Sequence, residues 1–185
     1  MKLIVAAFLL FFAPLAIAVV PVWTIIPEQS SLSFTGTQND APVSGEFKKF
    51  SGDIKFDEQQ LDASSVHIVV DMNSLKTSYS DLTDTLVTSP WFDSKLFPQA
   101  EFDAQHFKKL QGNHYQADGT LKIRDKSVPV VLSFTVEKMT ATDATVKGST
   151  QLKRLQFGVG QGEWASTKEV KDDVKVEFVV NAKKG

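Results

Sequence analysis

A change of phase in the alternation of apolar and polar residues near position 50 constrains the fold most. Val43 and Phe47 occupy odd positions, whereas Phe50, Ile54 and Phe56 occupy even positions. Successive side chains of a β-strand point to opposite faces, so a change of phase requires one extra residue, which forms a β-bulge and bends the strand. The pattern therefore predicts a long, bent strand in a sheet that curves into a barrel.

The same alternation recurs along most of the chain and predicts about eight strands. The remaining apolar positions that alternate are Leu32 and Phe34; Val66, Ile68, Val70 and Met72; Ala100, Phe102 and Ala104; Tyr115, Ala117, Leu121 and Ile123; Val128, Val130, Leu132, Phe134 and Val136; Val146 and Leu152; and Val174, Val176, Phe178 and Val180. Turn signals at residues 39–40, 111–113 and 124–126 favour hairpins between strands that follow each other in the chain. The sequence therefore predicts an all-β fold, an eight-stranded antiparallel barrel.

The segment between residues 76 and 96 breaks this alternation, and it lies between the third and fourth predicted strands. Residues 78–81 have the form of a helix capping box, and Leu82, Thr85 and Leu86 fall on one helical face. We therefore expect a short helix here.

A second helix start follows in the same segment, because Ser89 precedes Pro90 as an N-cap precedes a first helical residue. One or two short helices are thus predicted, with Trp91, Phe92 and Phe97 packed onto the barrel. The segment would either close one opening of the barrel as a lid or connect two strands while covering the core.

Residues 1–18 have the features of a signal peptide rather than those of a retained membrane anchor. Lys2 precedes an apolar run over 3–15, and Ala-Ile-Ala at 16–18 is a small-x-small cleavage site. The run is short for a membrane span. We expect an exported protein that begins at Val19 after cleavage.

The length and composition of residues 19–185 are typical of a single domain with its own core. These residues carry 19 basic and 22 acidic side chains, a net charge near −3, which disfavours binding to nucleic acid or to an anionic membrane surface. The chain has no cysteine, which excludes disulfides, thiol nucleophiles, thiolate metal sites and a lipoprotein anchor. Stability must therefore come from a large apolar interior.

Two histidines are the candidates for a metal site. His106 and His114 flank the predicted turn at 111–113 and would face each other across the hairpin, with Asp103 or Asp118 as a third ligand. Separate surface histidines are the favoured alternative, because two imidazoles without the usual metal-site spacing are a weak signal. We expect no metal and no other resident cofactor.

The glycine-rich run at 158–162 has the composition of a phosphate-binding loop. Such loops lie between a strand and the start of a helix, and no helical pattern follows here, which favours a flexible loop at the rim of the barrel. Its backbone amides and Arg154 would be the groups available to a pyrophosphate or a quinone oxygen, although a partly exposed arginine is more often only a surface residue. The chain has no Gly-x-Ser-x-Gly nucleophile elbow, so we expect no enzymatic activity.

Six motifs together cover almost all of the chain after residue 18. They are Trp23-x-Ile25-x-Pro27-x-x-Ser30-x-Leu32-x-Phe34; Gly45-x-Phe47-x-x-Phe50-x-Gly52-x-Ile54-x-Phe56-Asp57; Thr77-x-Tyr79 running to Trp91-Phe92-Asp93; Phe97-Pro98-x-Ala100-x-Phe102; Gly119-x-Leu121-x-Ile123; and Arg154-x-x-Phe157-Gly158-Val159-Gly160-x-Gly162-Glu163-Trp164. With these motifs the sequence resembles the YceI-like family, which are exported lipocalin-like barrels also called polyisoprenoid-binding proteins. The resemblance implies a periplasmic protein that binds a polyprenyl lipid or an isoprenoid quinone without chemical turnover.

The predicted ligand-binding residues combine the alternating strand positions with aromatic residues of the loops. They are Phe34, Phe47, Ile54, Ile68, Val70, Leu86, Trp91, Phe92, Phe102, Leu121, Leu132, Phe134, Phe157, Trp164 and Phe178. An eight-stranded barrel is either filled by side chains or holds one ligand. Small residues at Gly36, Ala104, Ala117 and Gly148 favour a cavity. The change of phase near Phe50 leaves open which strand faces point inward.

A filled interior is the alternative, and it predicts an interaction module, for instance a partner of a membrane redox protein. The sequence leaves open whether the protein forms a homodimer.

Overall fold

The computed structural model describes residues 19–185, which form an antiparallel β-barrel with one α-helix among these residues. The strands are β1 (Val22–Ile25), β2 (Ser31–Gln38), β3 (Ala41–Phe47), β4 (Phe50–Lys55), β5 (Ser65–Asp71), β6 (Leu75–Thr77), β7 (Gln99–Lys109), β8 (His114–Ile123), β9 (Lys126–Met139), β10 (Asp143–Lys153) and β11 (Asp173–Lys184). The helix, α1 (Ser80–Leu86), follows β6. In this part of the chain no helix is long and apolar enough to cross a membrane. The predicted signal peptide lies outside the described residues.

Eight strands close the barrel in the order β1, β4, β5, β7, β8, β9, β10 and β11, which confirms the predicted barrel. The last strand completes the ring, because Ala182 near its end pairs with Ile25 of β1. Its first half pairs instead with β2, where Val176 lies opposite Phe34. Strands β2, β3 and β6 therefore extend the sheet beyond the ring on one side.

The predicted bulge in one continuous strand is wrong. The chain breaks at residues 48–49 into β3 and β4, which pair with different neighbours. Ser74 holds the break, because the Lys48 amide donates to the Ser74 carbonyl at 3.2 Å and the Lys49 amide donates to Ser74 Oγ at 3.0 Å. Two unpaired residues, rather than one, separate the two halves of the pattern and let each half turn its apolar residues inward.

The predicted hairpins are present at all three turn signals. Asn39 and Asp40 join β2 to β3 with φ angles of 48° and 61°, which is the backbone that a tight hairpin turn requires. Residues 110–113 join β7 to β8, and Arg124 with Asp125 joins β8 to β9. Strands β7 to β11 therefore pair in chain order, as predicted.

The helical segment differs in detail from the prediction. The predicted capping box does not form, because Tyr79 occupies the N-cap of α1 and no side chain caps the helix. Residues after Ser89 and Pro90 form turns rather than a second α-helix. The amide of Trp91 donates to the Thr88 carbonyl and that of Phe92 donates to the Leu86 carbonyl, so the hydrogen bonds here are those of turns and not of an α-helix.

One end of the barrel is filled by aromatic side chains. The fully buried Tyr115 stacks on Phe134 with ring centroids 5.4 Å apart, and Phe56 packs edge-on against Tyr115 at 5.6 Å. Trp23 Nε1 donates to the Phe56 carbonyl at 2.9 Å, which fixes the indole over the same end. We call this the aromatic end, and the opposite end, below α1 and residues 158–171, the open end.

Candidate binding cavity

A cavity of about 360 Å³ occupies the barrel between the aromatic end and the open end. Known small-molecule sites have volumes of about 300–1,000 Å³, so the cavity is large enough for a ligand. It does not agree with the alternative of a filled interior. All fifteen predicted residues line it: Phe34, Phe47, Ile54, Ile68, Val70, Leu86, Trp91, Phe92, Phe102, Leu121, Leu132, Phe134, Phe157, Trp164 and Phe178. That these residues bind a ligand stays a prediction.

The sequence pattern also indicates lining residues that the predicted set omitted. They include Leu32, Val66, Met72, Val146, Val174, Val176 and Val180, which occupy the same alternating positions, and Trp23 and Phe56 at the aromatic end. On β9 the even positions Leu132 and Phe134 face the cavity. The strand break at 48–49 explains why Phe47 and Ile54 both face it although their positions differ in parity.

The glycines shape the cavity in a way that the sequence prediction did not foresee. The ring of Phe178 lies over Gly148, where a Cβ atom would be 2.3 Å from Phe178 Cζ, and the ring of Phe34 lies over Gly45 in the same manner at 2.6 Å. The prediction that Gly148 leaves open space is therefore wrong. The glycine instead lets a large ring lie flat against the wall, an arrangement known for cross-strand aromatic–glycine pairs. Gly36 does leave space, since its nearest neighbour would be 3.9 Å away.

The helix α1 and the turns after it cover the open end. Leu82, Thr85 and Leu86 line the cavity from one helical face, as predicted. Phe92 packs against two strand residues, with its ring centroid 6.3 Å from that of Phe34 and 6.0 Å from that of Phe47. The segment is therefore part of the cavity wall and not only a connection.

Arg154 organises the second cover, the segment from 158 to 171. It is buried rather than partly exposed, with 4 % of its surface accessible, so its predicted role as a free cation for a head group is wrong. Its guanidinium donates to six backbone carbonyls, at 2.8–3.2 Å: Val159, Gly160, Trp164, Ser166, Val170 and Lys171. Burial lowers the pKa of Arg154, while the nearby Asp172 opposes that shift. The side chain acts as a structural clamp.

The glycine-rich run is not a phosphate cradle and not a loose loop. The amides of Gly160 and Gln161 both donate to the Pro90 carbonyl, at 2.8 and 2.7 Å, and those of Gly158 and Val159 donate to Leu155 and Arg154. These amides are therefore occupied. Gly160 has a φ of 82°, and a Cβ atom there would lie 2.1 Å from Arg154 Nη1, so both the backbone and the clamp require glycine.

Arg124 is a second buried arginine at the open end, which the sequence indicated only as a turn residue. Its Nη1 donates to the carbonyl of Ser89 at 2.7 Å and to that of Trp91, and its guanidinium lies 5.4 Å above the Phe97 ring. No local sequence signal identifies this role, because the partners lie more than 30 residues away. Arg124 fixes the turn that contains Ser89 and Trp91. Arg154 fixes the segment from 158 to 171, whose Gly160 amide donates to the Pro90 carbonyl of that turn.

The histidines do not form the predicted pair. His106 lies opposite Asp118 on β8, whereas His114 lies opposite Thr135 on β9 and contacts its hydroxyl at 2.9 Å. The register shift next to His106 and the different partner strands separate the two imidazoles. Among residues 19–185 no cluster of three potential metal ligands occurs.

Comparison with known proteins decides the family. A family model described as a YceI-like domain matches residues 23–182. The chain belongs to the YceI-like family. Two curated YceI-like relatives are a UPF0312 protein of Photorhabdus laumondii, 30 % identical over 89 residues, and protein YceI of Salmonella arizonae, 31 % identical over 88 residues. Each match covers 48 % of this chain and 46 % of the relative, so the chain spans about half the length of the curated relatives it matches.

Solved structures of YceI-like barrels resemble the whole fold. BcnA of Burkholderia cenocepacia is 32 % identical, with a TM-score of 0.81 over 85 % of this chain and 98 % of BcnA. A polyisoprenoid-binding domain from Saccharophagus degradans, implicated in plant cell wall breakdown, has a TM-score of 0.70 over 91 % of this chain and 100 % of that domain, at 15 % identity. The YceI protein of Campylobacter jejuni has the same TM-score at 21 % identity, over 76 % of this chain and 84 % of that protein. The last two likenesses concern the fold alone.

Proposed function

We propose that this protein binds a long apolar lipid, a polyprenyl lipid or an isoprenoid quinone, in its barrel and stores or carries it without chemical turnover. The observation that carries the proposal is the cavity of about 360 Å³, whose wall is almost entirely aliphatic and aromatic. The structural neighbour from Saccharophagus degradans, described as a polyisoprenoid-binding domain, supports the lipid class.

The energetics of transfer favour exchange over permanent capture. Burying one CH₂ group gains about 0.8 kcal/mol relative to water, so one five-carbon prenyl unit gains roughly 3–4 kcal/mol. A lipid that leaves a bilayer loses a similar apolar environment, and most of this gain cancels. The protein would therefore take up a lipid from a membrane and release it to another site.

Extraction of the purified protein with organic solvent, followed by mass spectrometry, tests the lipid class. We expect a prenyl lipid or quinone in the extract, together with saturable binding of a fluorescent prenyl alcohol. Absence of any extracted lipid combined with absence of probe binding would contradict the proposal.

We propose further that residues 1–18 direct the chain to the periplasm. The apolar run followed by Ala-Ile-Ala at 16–18 supports this location. Cell fractionation should recover the protein in the periplasmic extract. Its intact mass should be that of a chain that begins at Val19. Recovery of the uncleaved chain in the membrane pellet would contradict it.

A further inference from the structure

Two uncharged polar side chains of the cavity wall belong to the segments at the open end, where a lipid head group would lie. They are the Gln38 amide, which alternates in step with the lining residues Phe34 and Gly36 of β2, and the Thr85 hydroxyl, which lies on the same face of α1 as Leu82 and Leu86. Both groups are uncharged: the amide can donate and accept hydrogen bonds, and the hydroxyl, which donates to the Asp81 carbonyl at 2.8 Å, can still accept one.

The charged side chains of the wall are already engaged. Arg154 and Lys171 are the charged residues that line the cavity among residues 19–185. Backbone carbonyls surround all three guanidinium nitrogens of Arg154. Lys171 Nζ lies 3.3 Å from Asp40 Oδ1. A phosphate that entered the cavity would lose its water and would have to compete with Asp40 for Lys171, because backbone carbonyls already hold Arg154; the net cost of entry is therefore high.

The segments around the opening carry an excess of negative charge. They are the hairpin turn at 38–41, α1 with Val87, and residues 158–171, and each of them contributes lining residues. Five carboxylates and two lysines belong to them: Asp40, Asp81, Asp84, Glu163, Glu169, Lys168 and Lys171. Like charges repel across a partly apolar opening more strongly than in bulk water.

We propose that the cavity selects lipids with an uncharged oxygen head group, such as an alcohol, an ether or a quinone carbonyl, and discriminates against prenyl phosphates and diphosphates. This selectivity rests on the proposed lipid-binding function and names the head-group class that the same cavity accepts. The hydroxyl and amide groups at the open end hold the neutral oxygen, and the engaged cations together with the acidic rim exclude the anion.

Two ligands that share the same tail separate the effect of the head group on affinity from that of the hydrocarbon tail. Geranylgeraniol and geranylgeranyl diphosphate compete with a fluorescent prenyl alcohol for the purified protein, at low and at high salt. We expect the alcohol to bind at least about tenfold more tightly than the diphosphate, with a smaller ratio at high salt because salt screens the rim. Equal or tighter binding of the diphosphate overturns this inference alone. Failure of both ligands and of the probe to bind overturns the proposed function itself.

A rim variant tests the origin of the selectivity. Replacing three carboxylates together, by Asp81→Asn, Asp84→Asn and Glu163→Gln, should lower the alcohol-to-diphosphate affinity ratio by about threefold or more, since it removes repulsion at the opening. The matched control combines Glu28→Gln, Asp62→Asn and Glu137→Gln, which remove the same number of charges outside the segments around the opening and should leave the ratio unchanged. An unchanged ratio in the rim variant, or an equal fall in the control, overturns the electrostatic basis.

Discussion

At the scale of single residues, the shape of the cavity depends on the glycines over which large aromatic rings lie flat against the wall. Phe178 lies opposite Gly148 on the neighbouring strand, and its ring occupies the place of the missing side chain. The sequence showed both residues on one face of their strands but not that one fills the space of the other. Side-chain direction over a glycine depends on the cross-strand partner, which alternation does not reveal.

Gly148→Ala should lower the free energy of unfolding by about 1–3 kcal/mol, because the new methyl group meets both Phe178 and the Ser133 carbonyl. Gly36→Ala is the matched control, since its new methyl group has ordinary contacts at 3.9 Å. It should be neutral or stabilise by up to about 1 kcal/mol through the unfolded chain. Urea unfolding measures both variants, and equal destabilisation would contradict this account of the wall.

Tyr115, at the aromatic end, makes the stability of the folded state depend on pH in the alkaline range. Burial, and then the hydrogen bond to Glu58 at 2.7 Å, raise the pKa of the Tyr115 hydroxyl. The folded state therefore holds this proton where the unfolded chain, with an ordinary pKa of about 10, has begun to lose it. The contribution to stability is complete below pH of about 10 and is lost as the pH rises through the higher folded value.

Tyr115→Phe should accordingly flatten the fall in stability above pH of about 10. Tyr79→Phe serves as the control, because Tyr79 is 74 % exposed. Urea midpoints measured across the alkaline range report the slope for each variant. A slope that changes equally in both variants, or in neither, would show that Tyr115 is not the group responsible.

At the scale of elements, the strands and the first cover, α1, were predictable, and the second cover, the segment from 158 to 171, was not. Alternation located the apolar positions, because a strand that faces a core has period two. The break between β3 and β4 was visible only as a change of phase, since the distant Ser74 that holds it leaves no local signal. The cover clamped by Arg154 was missed for the same reason: its carbonyl partners are recruited by tertiary structure.

Arg154→Met should loosen the cover without unfolding the barrel, because it leaves the carbonyls of 159–171 without their donor. Trypsin should then cleave after Lys168 at least about tenfold faster, as expected for a segment that opens locally. Lys175→Met, an exposed change on β11, should leave the rate unaltered. A cleavage rate that Arg154→Met does not change would contradict the clamp.

At the scale of the whole molecule, the chain is a barrel filled at one end and hollow at the other. The aromatic end supplies the core that a chain without disulfides needs, and the remaining volume is left to a ligand. The sequence predicted the barrel and the lining residues, but not which end is filled, because alternation assigns a residue to a face of its strand and not to an end of the barrel. A homodimer and a membrane redox partner stay predictions.

Binding of a fluorescent prenyl alcohol to a variant with a blocked cavity tests the central claim most directly. Gly36→Trp places an indole in the open space beside Val174, whereas Val131→Trp adds the same ring on the outer surface, where Val131 is 47 % exposed. We expect Gly36→Trp to weaken probe binding at least about tenfold while Val131→Trp binds as the natural protein does. Circular dichroism and the urea midpoint verify that both variants are folded. Undiminished binding by a folded Gly36→Trp variant would contradict the claim that the barrel cavity holds the ligand.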